Sequence, residues 1–300
     1  MEIVFLGTSA AMPTKYRNHS AIALLNDGEV ILLDCGEGTQ RQLIRAKVNY
    51  MHISRIFITH LHGDHFLGLP GLIQTMGFSG RDKPLEIFGP EGIEGLMENI
   101  FSMGYYEKNF EIKVNELEET VIAEEKNYEI EAFKVEHSIP AFGIFFREKK
   151  GRRFLRKKAE EFGIPPGPLY KKLQNGEPVE FNGKVIIPEM VLGKPREGFK
   201  VLYTGDTRPL EKIMRRCRGA VLIHDSTFSG KLQENAIETL HSTSIEAADT
   251  AKKGGAKALF LTHISPRYKD ATPLLEEARK IFENSFLSED LMRVNLGELV

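Results

Sequence analysis

Several features are scarce in this sequence, and each absence excludes a class of protein. Among its 300 residues there are only two cysteines, Cys35 and Cys217, too few and too far apart for a disulfide framework. No apolar run approaches the ~20 residues that a membrane-spanning helix needs. Residues 1–7 lack the basic start and the cleavage site of a signal peptide, and they predict a first strand instead. We therefore expect a soluble protein of the reducing cytoplasm.

A strong net charge is also missing. The chain carries 40 Lys and Arg residues against 42 Asp and Glu residues, which gives a net charge of −2. Bulk positive charge therefore cannot direct it to nucleic acid, and any such function must come from a local patch. Residues 147–174 are the candidate, because this segment holds ten basic residues and three acidic ones. Considered alone, such a run is equally typical of a solvated charged helix.

What the sequence does contain is an interleaving of short strands and helices. Residues 2–6, 21–25 and 30–33 predict an antiparallel meander, and apolar runs predict further strands at 55–59, 85–88, 129–135, 142–146, 200–203, 220–223 and 257–261. Helices are predicted over 66–76 and 90–103, after a capping box at 243–246, and from Thr272 onward. Because the elements do not follow strict βαβ repeats, we predict an α/β fold of the αββα sandwich type with two mixed sheets.

One segment of the second half does not fit this pattern of core elements. The run Gly163-Ile164-Pro165-Pro166-Gly167-Pro168 lies inside the basic segment, and no regular element tolerates it. We therefore predict a single domain over residues 1–300, with an inserted, flexible arm at 147–198 within it.

The most informative stretch is Thr59-His60-Leu61-His62-Gly63-Asp64-His65. Four potential metal ligands lie within six residues, directly after the apolar run 56–58. The polar cluster predicts a tight loop at the carboxyl end of a buried strand. Two imidazoles plus a carboxylate–imidazole pair form a ligand set suited to two adjacent zinc ions, although manganese or iron could use the same ligands.

Further candidate ligands lie at the ends of other predicted strands. These residues are His137, Asp206, His224 and His263. Strand ends at one edge of a sheet converge in space, so the side chains are placed to form one site with the loop at 60–65. One zinc ion would take His60, His62 and His137, and the other would take Asp64, His65 and His263. Asp206 would bridge the ions, leaving an open position for a water molecule that attacks a phosphoester.

These residues together resemble the motif set of the metallo-β-lactamase superfamily. Asp34, in Leu33-Asp34-Cys35-Gly36-Glu37-Gly38, matches the first, supporting aspartate of that superfamily. Within it, three further segments resemble tRNase Z, the endonuclease that removes the 3′ trailer of precursor tRNA. Pro13–Asn18 matches its Pro-x-Lys-x-Arg-Asn loop, the segment around His241 matches its His-Ser-Thr motif, and Gly167-Pro168 resembles the Gly-Pro motif of its tRNA-binding exosite.

The resemblance covers almost the whole chain, which has the size of the short form of that enzyme. One departure is visible. His224-Asp225-Ser226-Thr227 stands where the family usually has His-Glu-Ala-Thr. Asp225 keeps the carboxylate but is one methylene shorter, so a partnership with His241 requires a closer approach.

What the resemblance implies is a zinc-dependent phosphodiesterase with two zinc ions per subunit. It would cut precursor tRNA, leaving a 3′ hydroxyl on the tRNA and a 5′ phosphate on the trailer. Asp64 would be both metal ligand and general base, and His241 would be the general acid, oriented by Asp225. A second role for His241, as a residue that starts the helix before the cap at Thr243, is compatible with the first.

The resemblance also implies how the substrate is held. The basic arm, including Gly167 and Pro168, would bind the tRNA backbone by its shape and phosphates. Lys15, Arg17 and Asn18 would contact the 3′ region of the RNA or brace the site. In the family, the arm of one subunit grips a tRNA whose end enters the site of the other, so a homodimer is expected.

Other functions remain open from the sequence. Another hydrolase of the metallo-β-lactamase fold, acting on small phosphodiesters or sulfate esters, would need the metals but not the arm. The β-CASP nucleases fit less well, because they insert a domain between positions corresponding to Asp206 and His263. An RNA-binding protein with a structural zinc site is disfavoured, since structural sites are usually closed cages of four ligands.

Overall fold

A computed structural model describes residues 1–104, 109–194 and 196–299 of the chain. Clustering of contacts divides the chain into two compact units: residues 1–123, 130–146 and 199–300 form the first, and residues 124–129 and 147–198 form the second. No helix in the described ranges is long and apolar enough to cross a bilayer.

The strands are short, as the sequence predicts. In chain order they are β1 (Glu2–Gly7), β2 (Ala21–Asn26), β3 (Glu29–Leu33), β4 (Ile53–Phe57), β5 (Leu85–Gly89), β6 (Ile112–Glu116), β7 (Thr120–Glu124), β8 (Tyr128–Val135), β9 (Ala141–Glu148), β10 (Val179–Phe181), β11 (Lys184–Ile186), β12 (Lys200–Tyr203), β13 (Val221–Asp225), β14 (Ala258–Thr262), β15 (Ser285–Leu287) and β16 (Arg293–Asn295).

The helices lie between them. They are α1 (Thr39–Arg45), α2 (Gly63–Phe66), α3 (Leu69–Phe78), α4 (Ile93–Ser102), α5 (Arg156–Glu161), α6 (Pro168–Gln174), α7 (Pro188–Val191), α8 (Glu211–Arg216), α9 (Gln233–Glu238), α10 (Ser244–Gly254) and α11 (Thr272–Arg279).

Two mixed sheets of seven strands each form the frame of the described chain. The first has the order β16-β1-β2-β3-β4-β5-β6, and the second has the order β15-β14-β13-β12-β9-β8-β7. The strands β1, β2 and β3 pair antiparallel, so the predicted amino-terminal meander is confirmed. From β3 to β6 and from β12 to β15 the neighbours run parallel, which brings their carboxyl ends to one edge of each sheet.

The alternation of side chains along each strand explains the layers. Val4 and Leu6 belong to a core shared with α1, α3 and α4, whereas Phe5 between them contacts Phe260 of the second sheet, with ring centroids 5.4 Å apart. The second sheet has its own helical layer, in which Leu222 packs with residues of α8, α10 and α11. Because successive residues of a strand face opposite sides, each sheet carries helices on one face and the other sheet on the other. The αββα sandwich is confirmed.

The helix predicted over 66–76 is wrong as one element. The structure has two helices, α2 and α3, which are separated at Gly68. The N–H of Gly68 donates to the carbonyl of Cys35 at 2.8 Å, and a Cβ at this position would lie 2.2 Å from the Gly36 oxygen. The break between α2 and α3 therefore leaves room for the loop after β3. Pro70 is tolerated because it lies in the first turn of α3.

The predicted capping box of α10 is confirmed. The Thr243 hydroxyl accepts a hydrogen bond from the Glu246 N–H, and the Glu246 carboxylate accepts one from the Thr243 N–H. The helix ends before Gly255, whose φ of 69° is the left-handed conformation of a helix terminus.

The second compact unit has a small core of its own. It contains α5, α6, α7 and the hairpin of β10 with β11. Its buried cluster is Ala159, Ile164, Tyr170, Leu173, Val179, Ile186 and Val191. The run 163–168 forms the turn between α5 and α6, in which Gly167 adopts a φ of 152° and Pro168 starts the helix.

Candidate active site

The carboxyl ends of the strands carry the predicted ligands. The loop after β4 holds His60 and His62 and leads into α2, which holds Asp64 and His65. Asp206 follows β12, His263 follows β14 and His137 follows β8. The structure brings all seven side chains together. Within each of three sets the donor atoms lie within 4.8 Å of one another: His60 with His62 and His137, Asp64 with His65 and His263, and His60 with His65 and Asp206.

Asp206 lies at the centre of this cluster. Its Oδ2 is 3.6 Å from His60 Nε2, 3.4 Å from His65 Nε2 and 3.2 Å from His263 Nε2. Three buried atoms here, Asp206 Oδ1, His60 Nε2 and His65 Nε2, have no hydrogen-bond partner among the described residues. Buried polar atoms are normally satisfied, so a set of aligned donors without partners fits a metal site.

The other ring nitrogens are occupied, and this orients the imidazoles. His65 Nδ1 lies 2.8 Å from Asp34 Oδ2, and His60 Nδ1 lies 3.0 Å from the hydroxyl of Thr59. His263 Nδ1 lies 3.0 Å from the hydroxyl of Thr227. Each of these rings therefore presents Nε2 to the cluster, which is how supporting hydrogen bonds fix a metal-binding histidine.

Asp34 does more than support His65. It is fully buried with a φ of 58°, a conformation that costs free energy in a residue with a side chain. Its carboxylate also accepts hydrogen bonds from the Thr59 N–H at 2.7 Å and from the Tyr203 hydroxyl at 2.8 Å. These bonds hold the strained residue in place and join the loop after β3 to β4 and β12.

The electrostatics of the cluster favour positive charge at its centre. Burial lowers the pKa of His60 well below its ordinary value, which keeps that imidazole neutral as a ligand must be. Burial opposes the charged form of His65 too, but the carboxylates of Asp206 and Asp34 outweigh it and raise the pKa of His65 well above its usual value. The neighbouring histidines hold the pKa of Asp206 well below its usual range despite burial.

Asp64 is anchored at the edge of the cluster. Its Oδ2 accepts a hydrogen bond from the Ala11 N–H at 2.8 Å and lies 3.4 Å from His263 Nε2. Burial would raise the pKa of Asp64, but the hydrogen bond to His263 and the charge of His65 prevail and lower it. The carboxylate is therefore ionised at neutral pH.

His241 and Asp225 form a pair beside the cluster. Asp225 Oδ2 lies 2.8 Å from His241 Nδ1, so the shorter aspartate makes the closer approach that the sequence required. Asp225 is fully buried and also accepts hydrogen bonds from the N–H groups of Thr207 and Thr227. Burial alone would lower the pKa of His241, but the charge of Asp225 raises it to about 9.

His241, with its partner Asp225, lies beside the same cavity as the predicted ligands. The ring of His241 lies 5.1 Å from the ring of His137 and 5.2 Å from that of His263, between centroids. A cavity of about 510 Å³ leads to this point and is lined by Ala11, His19, His62, Gly63, Asp64, Leu67, Asp206, His241 and His263. A substrate in the cavity would meet the ligand cluster and His241 together.

The predicted substrate-binding residues of the Pro13–Asn18 loop differ: Arg17 and Asn18 are held by hydrogen bonds to the fold, whereas Lys15 is exposed. Arg17 is held inside the fold, since its Nη1 donates to the Thr8 hydroxyl at 2.6 Å and to the Ser288 carbonyl at 2.7 Å. Asn18 Nδ2 donates to the Glu37 carbonyl at 2.7 Å. Lys15 is exposed. All three line a cavity of about 570 Å³, together with Arg41 and Arg45 of α1, which the sequence did not single out.

The second unit carries exposed positive charge around Gly167 and Pro168. Three basic residues pair with acids: Arg147 with Glu129, Lys149 with Glu124 and Arg152 with Glu189. Six others are exposed and take part in no ion pair of the described chain: Arg153, Arg156, Lys157, Lys158, Lys171 and Lys172. Gly167 and Pro168 are themselves exposed.

Comparison with known proteins decides the family. Residues 1–155 match the sequence model of the family described as Anti-Pycsar protein Apyc1, which ends before Asp206, His241 and His263. Ribonuclease Z of Methanothermobacter thermautotrophicus is 49% identical over 297 residues, which cover 99% of this chain and 97% of that protein. The chain belongs to the ribonuclease Z family.

Other members and neighbours agree. Ribonuclease Z of Methanocaldococcus jannaschii is 47% identical over 303 residues, covering 97% of this chain and 96% of that protein. The crystal structure of human tRNase Z, short form, has 29% identity and a TM-score of 0.73, with 99% of each chain covered. The metallo-β-lactamase fold protein YhfI of Bacillus subtilis, at 18% identity and a TM-score of 0.70 over 98% of each chain, shows the shared fold. The ribonuclease Z family thus accounts for the whole chain.

Proposed function

We propose that this protein is a metal-dependent endoribonuclease that removes the 3′ trailer from precursor tRNA. One observation carries the proposal: in a member of the ribonuclease Z family, seven predicted metal-ligand side chains lie together, and several of them line one cavity with His241, which pairs with Asp225. The human neighbour is itself a tRNase Z. The products would be a tRNA with a 3′ hydroxyl and a trailer with a 5′ phosphate.

The cofactor we propose is a pair of zinc ions in each subunit. His60, His62 and His137 would hold one, Asp64, His65 and His263 would hold the other, and Asp206 would contact both. Imidazole and carboxylate donors suit zinc, and the buried donors without partners support this assignment. Bound ions supply Lewis-acid polarisation of the phosphoester and activation of the attacking water.

The protein side chains would move the protons. Asp64 is ionised and held by the Ala11 N–H, so it can accept the proton of the attacking water. His241 is protonated at neutral pH, since Asp225 raises its pKa to about 9. Because Nδ1 of His241 faces Asp225, Nε2 is free to donate its proton to the departing 3′ oxygen of the tRNA.

Recognition of the tRNA would lie outside this chemistry. We propose that the exposed cations of residues 147–198, with the turn at Gly167 and Pro168, form a tRNA-binding exosite that contacts backbone phosphates. Lys15 would contact the 3′ region of the RNA, while Arg17 and Asn18 brace the loop that carries it.

Two further proposals concern assembly and compartment. We propose a homodimer, in which exposed apolar side chains such as Ile44 of α1 and Phe78 of α3 would be buried between two copies. Light scattering on the purified protein would test this. Both cysteines are buried and free, which supports the reducing cytoplasm as the compartment.

The experiment is cleavage of a precursor tRNA with a 3′ trailer, with the product ends mapped. Wild type should release a tRNA that ends at or near the discriminator base, and His65→Ala should not. His52→Ala, which changes an exposed histidine outside the cluster, is the matched control and should cleave normally. Hydrolysis of bis(p-nitrophenyl) phosphate without cleavage of the precursor would instead support a hydrolase of small phosphodiesters.

A further inference from the structure

Arg208 lies two residues after Asp206 and is not one of the predicted site residues. Only 13% of its side chain is exposed, and its guanidinium contacts Glu246 at the start of α10. Nη1 and Nη2 donate to the two carboxylate oxygens of Glu246, and Nη1 also donates to the main-chain carbonyl of His241. One guanidinium therefore links the proposed general acid to a helix terminus.

The main chain at His241 needs such support. Leu240, directly before it, has a φ of 57°, which is an outlier for a bulky residue with a Cβ. Local main-chain bonds close this turn, from the His241 N–H to the Ala236 carbonyl at 2.8 Å and from the Leu240 N–H to the Ile237 carbonyl at 3.3 Å. Tertiary contacts fix where it lies: the Arg208 guanidinium on the His241 carbonyl, His137 Nδ1 at 3.3 Å from the Leu240 carbonyl, and the Ser242 hydroxyl donating to the Thr207 carbonyl at 2.5 Å. The tertiary contacts therefore set the position of the His241 main chain relative to Thr207 and Asp225.

The segment that carries Arg208 also holds the partner of His241. The Thr207 N–H donates to Asp225 Oδ2 at 3.1 Å, the same oxygen that faces His241 Nδ1. The Arg208 N–H donates to the Glu136 carbonyl at 3.1 Å, next to His137. Thr207 and Arg208 thus contact both the side-chain partner of His241 and its main chain.

We infer that Arg208 is a positioning residue for the general-acid step, and this inference rests on the proposed function. Its planar guanidinium group fixes the main chain of His241, so that the imidazole reaches Asp225 on one side and the departing 3′ oxygen on the other. Lysine cannot replace it, because a single ammonium group does not span both Glu246 oxygens and the carbonyl. A buried Arg–Glu pair adds little stability by itself, whereas the third hydrogen bond serves the catalytic turn.

The test compares two substrates that differ in the leaving group. Cleavage of precursor tRNA expels an alkoxide that needs a proton, whereas bis(p-nitrophenyl) phosphate expels a nitrophenolate that does not. Since general-acid catalysis contributes roughly 10² to 10⁴ in rate, His241→Ala should lose about that factor in kcat on the precursor and far less on the diester. Arg208→Met should show the same selective loss, on the order of 10 to 100-fold, with KM for the precursor unchanged.

Two variants separate positioning from general damage to the fold. Arg216→Met breaks a similar, partly buried pair, that of Arg216 with Glu131, outside the site and should retain activity on both substrates. Arg208→Met combined with Glu246→Gln removes the uncompensated charge and keeps a residue suited to the capping box. The double variant should regain thermal stability and still lose precursor cleavage.

Several results would overturn the inference. Normal precursor cleavage by Arg208→Met, an equal loss on both substrates, or recovery of precursor cleavage in the double variant would each do so. If His241→Ala selectively loses precursor cleavage and Arg208→Met does not, the positioning role of Arg208 is rejected and the general-acid role of His241 stands. If His241→Ala cleaves the precursor normally, the general-acid role of His241 and the positioning role of Arg208 fail while the proposed function stands. If wild type does not cleave the precursor, the proposed function itself fails.

Discussion

The ligand cluster and the Asp225–His241 pair are built in different ways. The predicted ligands follow strand ends or lie on a short helix after one, and each supported imidazole has a partner close in the sequence or just after the adjacent strand. His241 lies in a strained turn between α9 and α10, and it depends on residues 16 and 33 positions away. In the proposed mechanism, hydrolysis of any phosphodiester would need the first arrangement, but only a substrate with a poor leaving group would need the second.

The largest effect is expected at Asp206, which in the proposed mechanism would serve every phosphodiester. Asp206→Ala removes the carboxylate that faces His60, His65 and His263, so metal binding should be lost. We expect a decrease of about 10³-fold or more in kcat on both substrates, because metal activation contributes several kcal/mol. Metal content and both activities are the measurements. A variant that keeps its metal and its diester hydrolysis would show that Asp206 is not a ligand.

The second effect should separate the two regions. Asp225→Asn keeps the shape of the partner but removes the charge that raises the pKa of His241. A general acid acts in its protonated form and is lost as pH rises through its pKa, so the alkaline limb of precursor cleavage should move to lower pH. At neutral pH we expect a decrease of roughly 10²-fold on the precursor.

The pH profile of diester hydrolysis is the internal control for Asp225→Asn. It should keep its alkaline limb, because nitrophenolate leaves without a proton. If both profiles shift together, the charge of Asp225 acts on the metal centre and not on His241.

The third effect concerns the support of the ligands. Asp34→Asn replaces a carboxylate that accepts from His65 Nδ1, so the ring loses the charge that fixes it. Changes in such supporting partners typically cost about 10 to 100-fold in metal affinity or activity. Titration with zinc would measure the affinity. Unchanged affinity with lower activity would place the role of Asp34 in catalysis instead.

The smallest effect should be confined to RNA binding. Changing Lys157, Lys158, Lys171 and Lys172 to Gln removes four exposed cations without ion-pair partners in the described chain. We expect KM for the precursor to rise about tenfold and its dependence on salt to weaken, since released counterions follow the number of phosphate contacts. Diester hydrolysis should not change. Replacing Lys252 and Lys253, at the end of α10, with Gln is the control for loss of surface charge.

Sequence reasoning identified the residues of the cluster because their signals are local. His60 to His65 form one short motif after an apolar strand, and strand ends converge in any sandwich with parallel strands. The capping box of α10 was visible for the same reason. By contrast, α1 has no side-chain cap, since Gly38 precedes it, so no local signal marked its start. Arg41 and Arg45 were missed with it.

Arg208 could not be identified from the sequence for a different reason. Its partners His241 and Glu246 lie 33 and 38 residues further along the chain, and nothing local distinguishes a buried arginine from a surface one. The split between α2 and α3 was missed similarly, because the contact of Gly68 with the loop after β3 exists only in the folded chain.

The hydrogen bonds of Asp34 have a consequence for the mechanics of the protein. They connect a loop of the first sheet to Tyr203 of the second, and the ligands likewise come from both sheets. An ion bound by these residues would link the two sheets. Because a ligand that binds only the folded state stabilises it by mass action, removing the metal with a chelator should lower the melting temperature as well as stop the reaction. The same atoms would then decide both whether RNA is cut and how firmly the two halves of the sandwich stay together.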